Sequence, residues 1–277
     1  MAPCYVNGSL VDEDDAMISA LDHGFVVGDG VFETVLLRRG RPFALRRHLE
    51  RLRQSAAGLG LERPDLEELA RATGEVVAAS GLESGRIRIT VTDGIGPLGS
   101  SRLDGRRTVV VAVAPQDATP PAHCTVALVP WRRNERGALS GLKTTSYGEN
   151  VRALAWAAER GAAEAIFANT RDELCEGTGS NVFVVRGGET LTPPLSSGCL
   201  AGVTRALVLE TSGASEDDIA AADFRADAIE EAFITSSVRG VVPISAIDGV
   251  ALDRVPGPQT ARAAVAYAAL LESVDEP

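Results

Sequence analysis

Between residues 114 and 121 the chain reads A-P-Q-D-A-T-P-P, and this Pro-rich polar stretch limits the folds open to it more than any other feature. Proline lacks the backbone donor that helices and sheet ladders need, so a regular element does not run through such a segment. A chain of 277 residues interrupted there makes two domains rather than one continuous core. The expected division is an N-terminal domain at 1–115, a linker at 116–121 and a larger C-terminal domain at 122–277.

Before the linker, Tyr5-Val6 and Leu10-Val11 flank an Asn7-Gly8 turn, a hairpin signature. A glycine-rich loop spans 22–30 and a strand follows at 31–37. Leu45, Leu49, Leu52, Ala56 and Leu59 recur at helical spacing and stop at Gly60. A second helix is expected over 64–79, then strands at 86–92 and 108–114. After the linker come a strand at 125–129, a loop carrying Lys143 and a helix over 147–160. Strands at 165–167 and 181–185, a helix from Val203, a strand ending at Thr235 and a last helix over 259–272 complete the pattern. Strands and helices mix without strict βαβ alternation, which points to the α+β class, with a strand-rich core in the larger domain.

Charge excludes some partners. With 38 acidic against 27 basic residues the net charge is −11, the wrong sign for holding phosphate backbones or an anionic membrane. The apolar run at 109–114 is far short of a membrane span, and the first ten residues lack the basic start and apolar core of a secretion signal. Cysteines at 4, 124, 175 and 199 and histidines at 23, 48 and 123 are too scattered for a zinc motif, so no metal is expected. Scattered, unpaired cysteines fit reduced, buried thiols and a cytoplasmic location.

Of the basic residues 26 are arginine and one, Lys143, is lysine. Arginine is always protonated, whereas a lysine amine can lose its proton and bond to a carbonyl carbon. Lys143 is therefore either a chance survivor in an arginine-rich composition or a nucleophile. The remaining motifs are individually ambiguous. The glycine run fits neither a dinucleotide nor a Walker loop, and no G-x-S-x-G occurs. Gly202-Val203-Thr204 reads as a helix start with a plain Thr cap or as a phosphate cradle. Ser236-Ser237 reads as a turn or as further phosphate donors. Arg51 alone suits a solvated helix face. Glu176, between apolar residues and small polar ones, reads as a hairpin-turn carboxylate or as a buried one facing a basic nitrogen.

Together these stretches resemble one family, the fold type IV pyridoxal-phosphate enzymes, which includes D-amino-acid and branched-chain aminotransferases and aminodeoxychorismate lyases. The resemblance runs through DHGFVVGDGVFET (22–34), HLERL (48–52), LKTTSYGENVRALAWAAERGAAEAIFANT (142–170), LCEGTGSNVF (174–183), GVTR (202–205) and ITSSVRGVVPI (234–244). It implies a two-domain α+β fold with pyridoxal 5'-phosphate as cofactor, a small-molecule amino substrate and a homodimer. By the same resemblance Lys143 matches the lysine bonded to the cofactor, and Glu176 the carboxylate on its pyridine nitrogen. Arg51, Gly202, Val203, Thr204, Ser236 and Ser237 fall at or beside the phosphate positions, and Tyr147 near the ring hydroxyl.

The sequence departs from the D-amino-acid aminotransferases twice, with Phe32 where they carry tyrosine and Asp93 near their carboxylate-binding arginine. Phe32 in G-D-G-V-F-E-T resembles the aminodeoxychorismate lyases. The expected function is accordingly elimination of pyruvate from 4-amino-4-deoxychorismate to give 4-aminobenzoate, a folate precursor. A class IV aminotransferase is the alternative, and a non-catalytic relative that binds a phosphorylated ligand is a third reading. A dicarboxylate substrate needs basic groups; Arg102 and Arg239 are the expected ones, unless they are plain surface arginines.

Overall fold

A computed structural model describes residues 3–103, 107–116 and 119–277; residues 117–118 of the expected linker lie outside the described residues. The chain forms two compact units. The first comprises Met1–Ala118, Leu142–Tyr147 and Glu276, the second Thr119–Gly141, Gly148–Asp275 and Pro277.

In the first unit, strands β1 (Pro3–Val6), β2 (Ser9–Asp12), β3 (Gly30–Arg38), β4 (Arg41–Pro42), β5 (Ser84–Thr92) and β6 (Thr108–Pro115) form a sheet ordered β2-β1-β6-β5-β3-β4, antiparallel at every pairing. Asn7 and Gly8 both adopt positive φ, 47° and 98°, as a two-residue hairpin turn requires. Ile87, Ile89 and Val91 point to one face, as the period of two demands, and are fully buried. That face is covered by α2 (Leu45–Leu59) and α3 (Leu66–Ser80), whose Leu49, Leu52, Ala56, Leu69, Ala72 and Val76 complete the core. The α3 start is capped by Asp65, which accepts from Glu67 N at 2.9 Å and Glu68 N at 3.4 Å. Both helices stop at a left-handed glycine, Gly60 at φ 75° and Gly81 at φ 62°.

In the second unit, strands β7 (Cys124–Arg133), β8 (Glu164–Asn169), β9 (Leu174–Gly177), β10 (Asn181–Arg186), β11 (Glu189–Thr192), β12 (Ser215–Glu216), β13 (Glu231–Ser236), β14 (Gly240–Ile247) and β15 (Val250–Ala251) make a mixed sheet. Its order is β12-β11-β10-β13-β14-β7-β8-β9, with β15 paired to β14. Helices α4 (Gly148–Ala158), α5 (Val203–Ser212) and α6 (Pro258–Ser273) belong to this unit. Apolar side chains from the central strands, among them Val126, Ile166, Val182, Ile234 and Val242, form its largest core cluster. Phe183 and Phe233 face each other across β10 and β13 with rings 4.7 Å apart and stacked. All four cysteines are buried.

The elements expected from the sequence are present, but β4, β9, β11, β12, β14 and β15 had no counterpart in its pattern, and three stretches differ where local chemistry competes. The glycine-rich stretch expected as loop contains one helical turn, α1 (His23–Val26), because the Asp22 carboxylate caps it by accepting from Gly24 N at 2.8 Å. Glu176 is not on a turn; it sits inside β9, paired opposite Phe167 of β8. The strand expected at 125–129 runs on to Arg133 past a register shift between Leu128 and Arg132, across which alternation is lost.

Candidate active site

Lys143 lies on a segment that the first unit pulls onto its sheet. Phe32 N donates to Lys143 O at 3.0 Å, Thr145 N donates to Gly30 O at 2.8 Å, and Val31 and Thr144 form a bridge. From α2, Ser55 Oγ accepts from Lys143 N at 3.1 Å. The backbone of the lysine is thus fixed on both sides. Its Nζ lies 4.5 Å from the centre of the Phe32 ring, a quadrupolar face that attracts a cation. Tyr147 meets the same ring edge-on, with centres 5.3 Å apart.

One turn before Ser55 on α2, Arg51 is gripped by a fully buried carboxylate. Arg51 Nε donates to Glu33 Oε1 at 2.8 Å and Nη2 to Glu33 Oε2 at 2.7 Å, while His48 Nδ1 lies 2.7 Å from the latter oxygen. Burial alone would push the Glu33 carboxyl up; the Arg51 charge, its hydrogen bonds and His48 instead hold it well below the carboxylate range. The helix face bearing Arg51 is therefore not solvated, as the residue alone had suggested.

Arg88, missed by sequence reasoning, is the other cation here. Its guanidinium carbon stands 3.7 Å from the Phe32 ring centre, on β5 beside β3, and much of the side chain is exposed. Strand alternation could have found it, since Arg88 points away from the face that buries Ile87 and Ile89. Arg102 is engaged elsewhere. It donates to Asp29 at 2.7 and 2.5 Å, and to the Gly60 and Leu59 carbonyls at 2.7 and 3.0 Å. Asp93 is 3.9 Å from the same guanidinium. His23, Asp29 and Asp93 bring one potential ligand atom each within 4.8 Å of one another, and Arg102 already supplies positive charge at that cluster.

In the second unit Glu176 is held from the backbone, its Oε2 accepting from Leu200 N at 2.9 Å. The loop after Leu200 leads to Gly202, which caps α5 with no side-chain hydrogen bond, so the first-turn donors are not consumed by a cap. Asn181, anchored to Leu200 O at 2.9 Å, occupies the space a Cβ on Gly202 would need. Val203 and Thr204 in the first turn are buried. Ser236 ends β13 and Ser237 follows it. Arg239 folds back over this turn, with Nε 3.3 Å from Ser236 Oγ and Nη2 donating to Glu164 Oε2 at 2.5 Å. Glu164 is buried and also accepts from the Thr178 backbone and hydroxyl and from Ser180. Arg239 thus ties the Ser236–Ser237 turn to the loop that follows Glu176.

A model of the amino-transferase class IV family matches residues 30–247, and the chain belongs to that family. It is 34% identical over 260 residues to a "putative branched-chain-amino-acid aminotransferase" of Methanocaldococcus jannaschii, covering 88% of each chain. It is 30% identical to a D-alanine aminotransferase of Listeria monocytogenes (93% and 92% covered) and 29% to an aminodeoxychorismate lyase of Bacillus subtilis (95% and 92%). Among solved structures, a branched-chain aminotransferase from Thermoproteus uzoniensis with norvaline superposes with a TM-score of 0.88 at 33% identity, covering 97% of this chain and 94% of the other. A PLP-bound hypothetical aminotransferase from Mycobacterium tuberculosis gives 0.83 at 26% identity, with 97% and 99% covered.

The protein is a pyridoxal-phosphate enzyme of fold type IV. Its residues fit the cofactor: an uncapped helix start behind an obligatory glycine suits a phosphate, a backbone-held carboxylate suits a ring nitrogen, and the single lysine suits an aldehyde. Among the described residues no helix is long and apolar enough to cross a membrane.

Proposed function

We propose that this chain is an aminotransferase that moves the amino group of a small amino acid. In this reading Lys143 bonds the cofactor and moves protons at the substrate carbon, and Glu176 keeps the ring nitrogen protonated. Arg51, the α5 start (Gly202, Val203, Thr204) and Ser236–Ser237 hold the phosphate, and Tyr147 stands near the ring hydroxyl. Pyridoxal phosphate supplies an aldehyde for amines and a ring that accepts electron density from the adjacent carbon. The observation that carries the substrate assignment is Arg88. Its guanidinium carbon stands 3.7 Å from the centre of the Phe32 ring, the ring that also lies against the Lys143 amine, and its Nε donates to Thr90 Oγ1 at 3.3 Å, whereas Arg102 and Arg239 are engaged by the carboxylates of Asp29 and Glu164. Of these three arginines, Arg88 is thus the one assigned to a substrate carboxylate.

Elimination of pyruvate from 4-amino-4-deoxychorismate is the second reading, favoured by Phe32 and by the similarity to the Bacillus subtilis lyase. One experiment separates the two. Purified holoenzyme is mixed in single turnover with a panel of D- and L-amino acids, and separately with aminodeoxychorismate. Conversion of bound cofactor to its amine form by an amino acid supports the aminotransferase. Formation of 4-aminobenzoate and pyruvate, with no such conversion, replaces it with the lyase. A homodimer is part of the same proposal, checked by sedimentation of the holoenzyme.

A further inference from the structure

We propose that Arg133 is a positioning residue that fixes Glu176 against the cofactor's ring nitrogen; this rests on the reading of Glu176 given above. Arg133 ends β7, just past the register shift that turns it toward β8 and β9. Its guanidinium carbon lies 4.2 Å from the centre of the Phe167 ring, and Phe167 is the residue paired opposite Glu176. Nη2 stands 3.5 Å from Glu176 Oε1, while the other carboxylate oxygen takes the Leu200 N–H. Nη1 donates to Asn150 Oδ1 at 3.1 Å and to Glu149 Oε2 at 3.2 Å at the start of α4. Asn150 in turn donates to Thr178 O at 2.5 Å, so the same network holds the loop after Glu176.

The side chain is largely buried, and its Nε is a buried donor with no hydrogen-bond partner. Burying a guanidinium this way costs stability that an apolar residue beside Phe167 would not. What the arginine provides is a carboxylate held at both oxygens, one by the Leu200 N–H and the other by an adjacent guanidinium. An oriented carboxylate is what a protonated pyridine nitrogen requires.

The test compares binding of two ligands to apoenzyme: pyridoxal 5'-phosphate and its analogue with C–H in place of the ring nitrogen. The wild type should prefer the natural cofactor. Arg133→Gln should lower that preference on the order of tenfold, the range known for outer-shell partners of ligating groups, while leaving affinity for the analogue unchanged. In a Glu176→Gln background, adding Arg133→Gln should lower the preference no further. Equal loss for both ligands, or the same loss in both backgrounds, marks a merely structural residue and overturns the proposal, as does no loss. If Glu176→Gln keeps the wild-type preference, the role of Glu176 fails and this proposal with it. If only Arg133→Gln keeps it, the proposal fails alone. Should Arg133→Gln not fold, Arg133→Lys carries the test. A single-point cation should lower the preference by a smaller factor, and an undiminished preference is again fatal.

Discussion

Glu33 holds Arg51 by two edges of its guanidinium, Nε to Oε1 at 2.8 Å and Nη2 to Oε2 at 2.7 Å, inside a fully buried site. Removing one partner of such a pair leaves a buried charge uncompensated, at a cost of about 3–5 kcal/mol. Glu33→Gln should therefore lose several kcal/mol in urea unfolding at pH 7. The depressed Glu33 pKa makes this contribution complete above the unfolded carboxylate range and lost as pH falls well below it. The gap between variant and wild type should shrink in strong acid.

His48 gives a second pH dependence. Burial pushes its imidazole below the usual range; Glu33 opposes that, and the charges of Arg51 and Lys143 add to it. In the unfolded chain histidine takes up a proton near pH 6.5, so below that value the unfolded state binds a proton the folded state refuses. Stability should be full above about pH 7 and decline toward pH 5, by at most about 1.4 kcal/mol per pH unit. His48→Gln, which can still donate to Glu33, should flatten that decline in urea titrations across the window.

Lys143→Arg keeps the charge above Phe32 and loses the amine that can deprotonate. The variant should unfold at the wild-type temperature and lose turnover by a factor on the order of a thousand or more. Product assays beside thermal melts check both halves.

Arg88→Met should lower kcat/KM for the amino-acid substrate by roughly 10–100-fold, the worth of a hydrogen bond to a charged group. The loss should appear chiefly in KM, and amines lacking a carboxylate should react unchanged. Equal losses for both substrate types count against a carboxylate contact.

Much of the fold was legible because its elements are strongly periodic. The α2 leucines and the β5 alternation each announce one buried face, and Gly60 and Gly81 mark the helix ends. Lys143 and Glu176 stood out through rarity and through unusual neighbours. What stayed hidden depends on pairing between distant residues. Nothing in the spacing says that Arg102 is taken up by Asp29, 73 positions away, or Arg239 by Glu164, 75 away. An arginine-rich composition hides such assignments, because every guanidinium looks alike until its carboxylate is known. Arg133 was overlooked for the same reason, and the register shift in β7 concealed which way it turns; Arg88 could have been found from the alternation of β5.

The segment Leu142–Tyr147 follows β7 in covalent order yet takes its backbone partners from β3 and α2, which precede it. The polypeptide therefore visits its first unit twice. A gene cut between β6 and β7 would hand Lys143 to a fragment that lacks the strand to seat it. Truncations that keep the second unit without the first should yield material in which that amine has no seat.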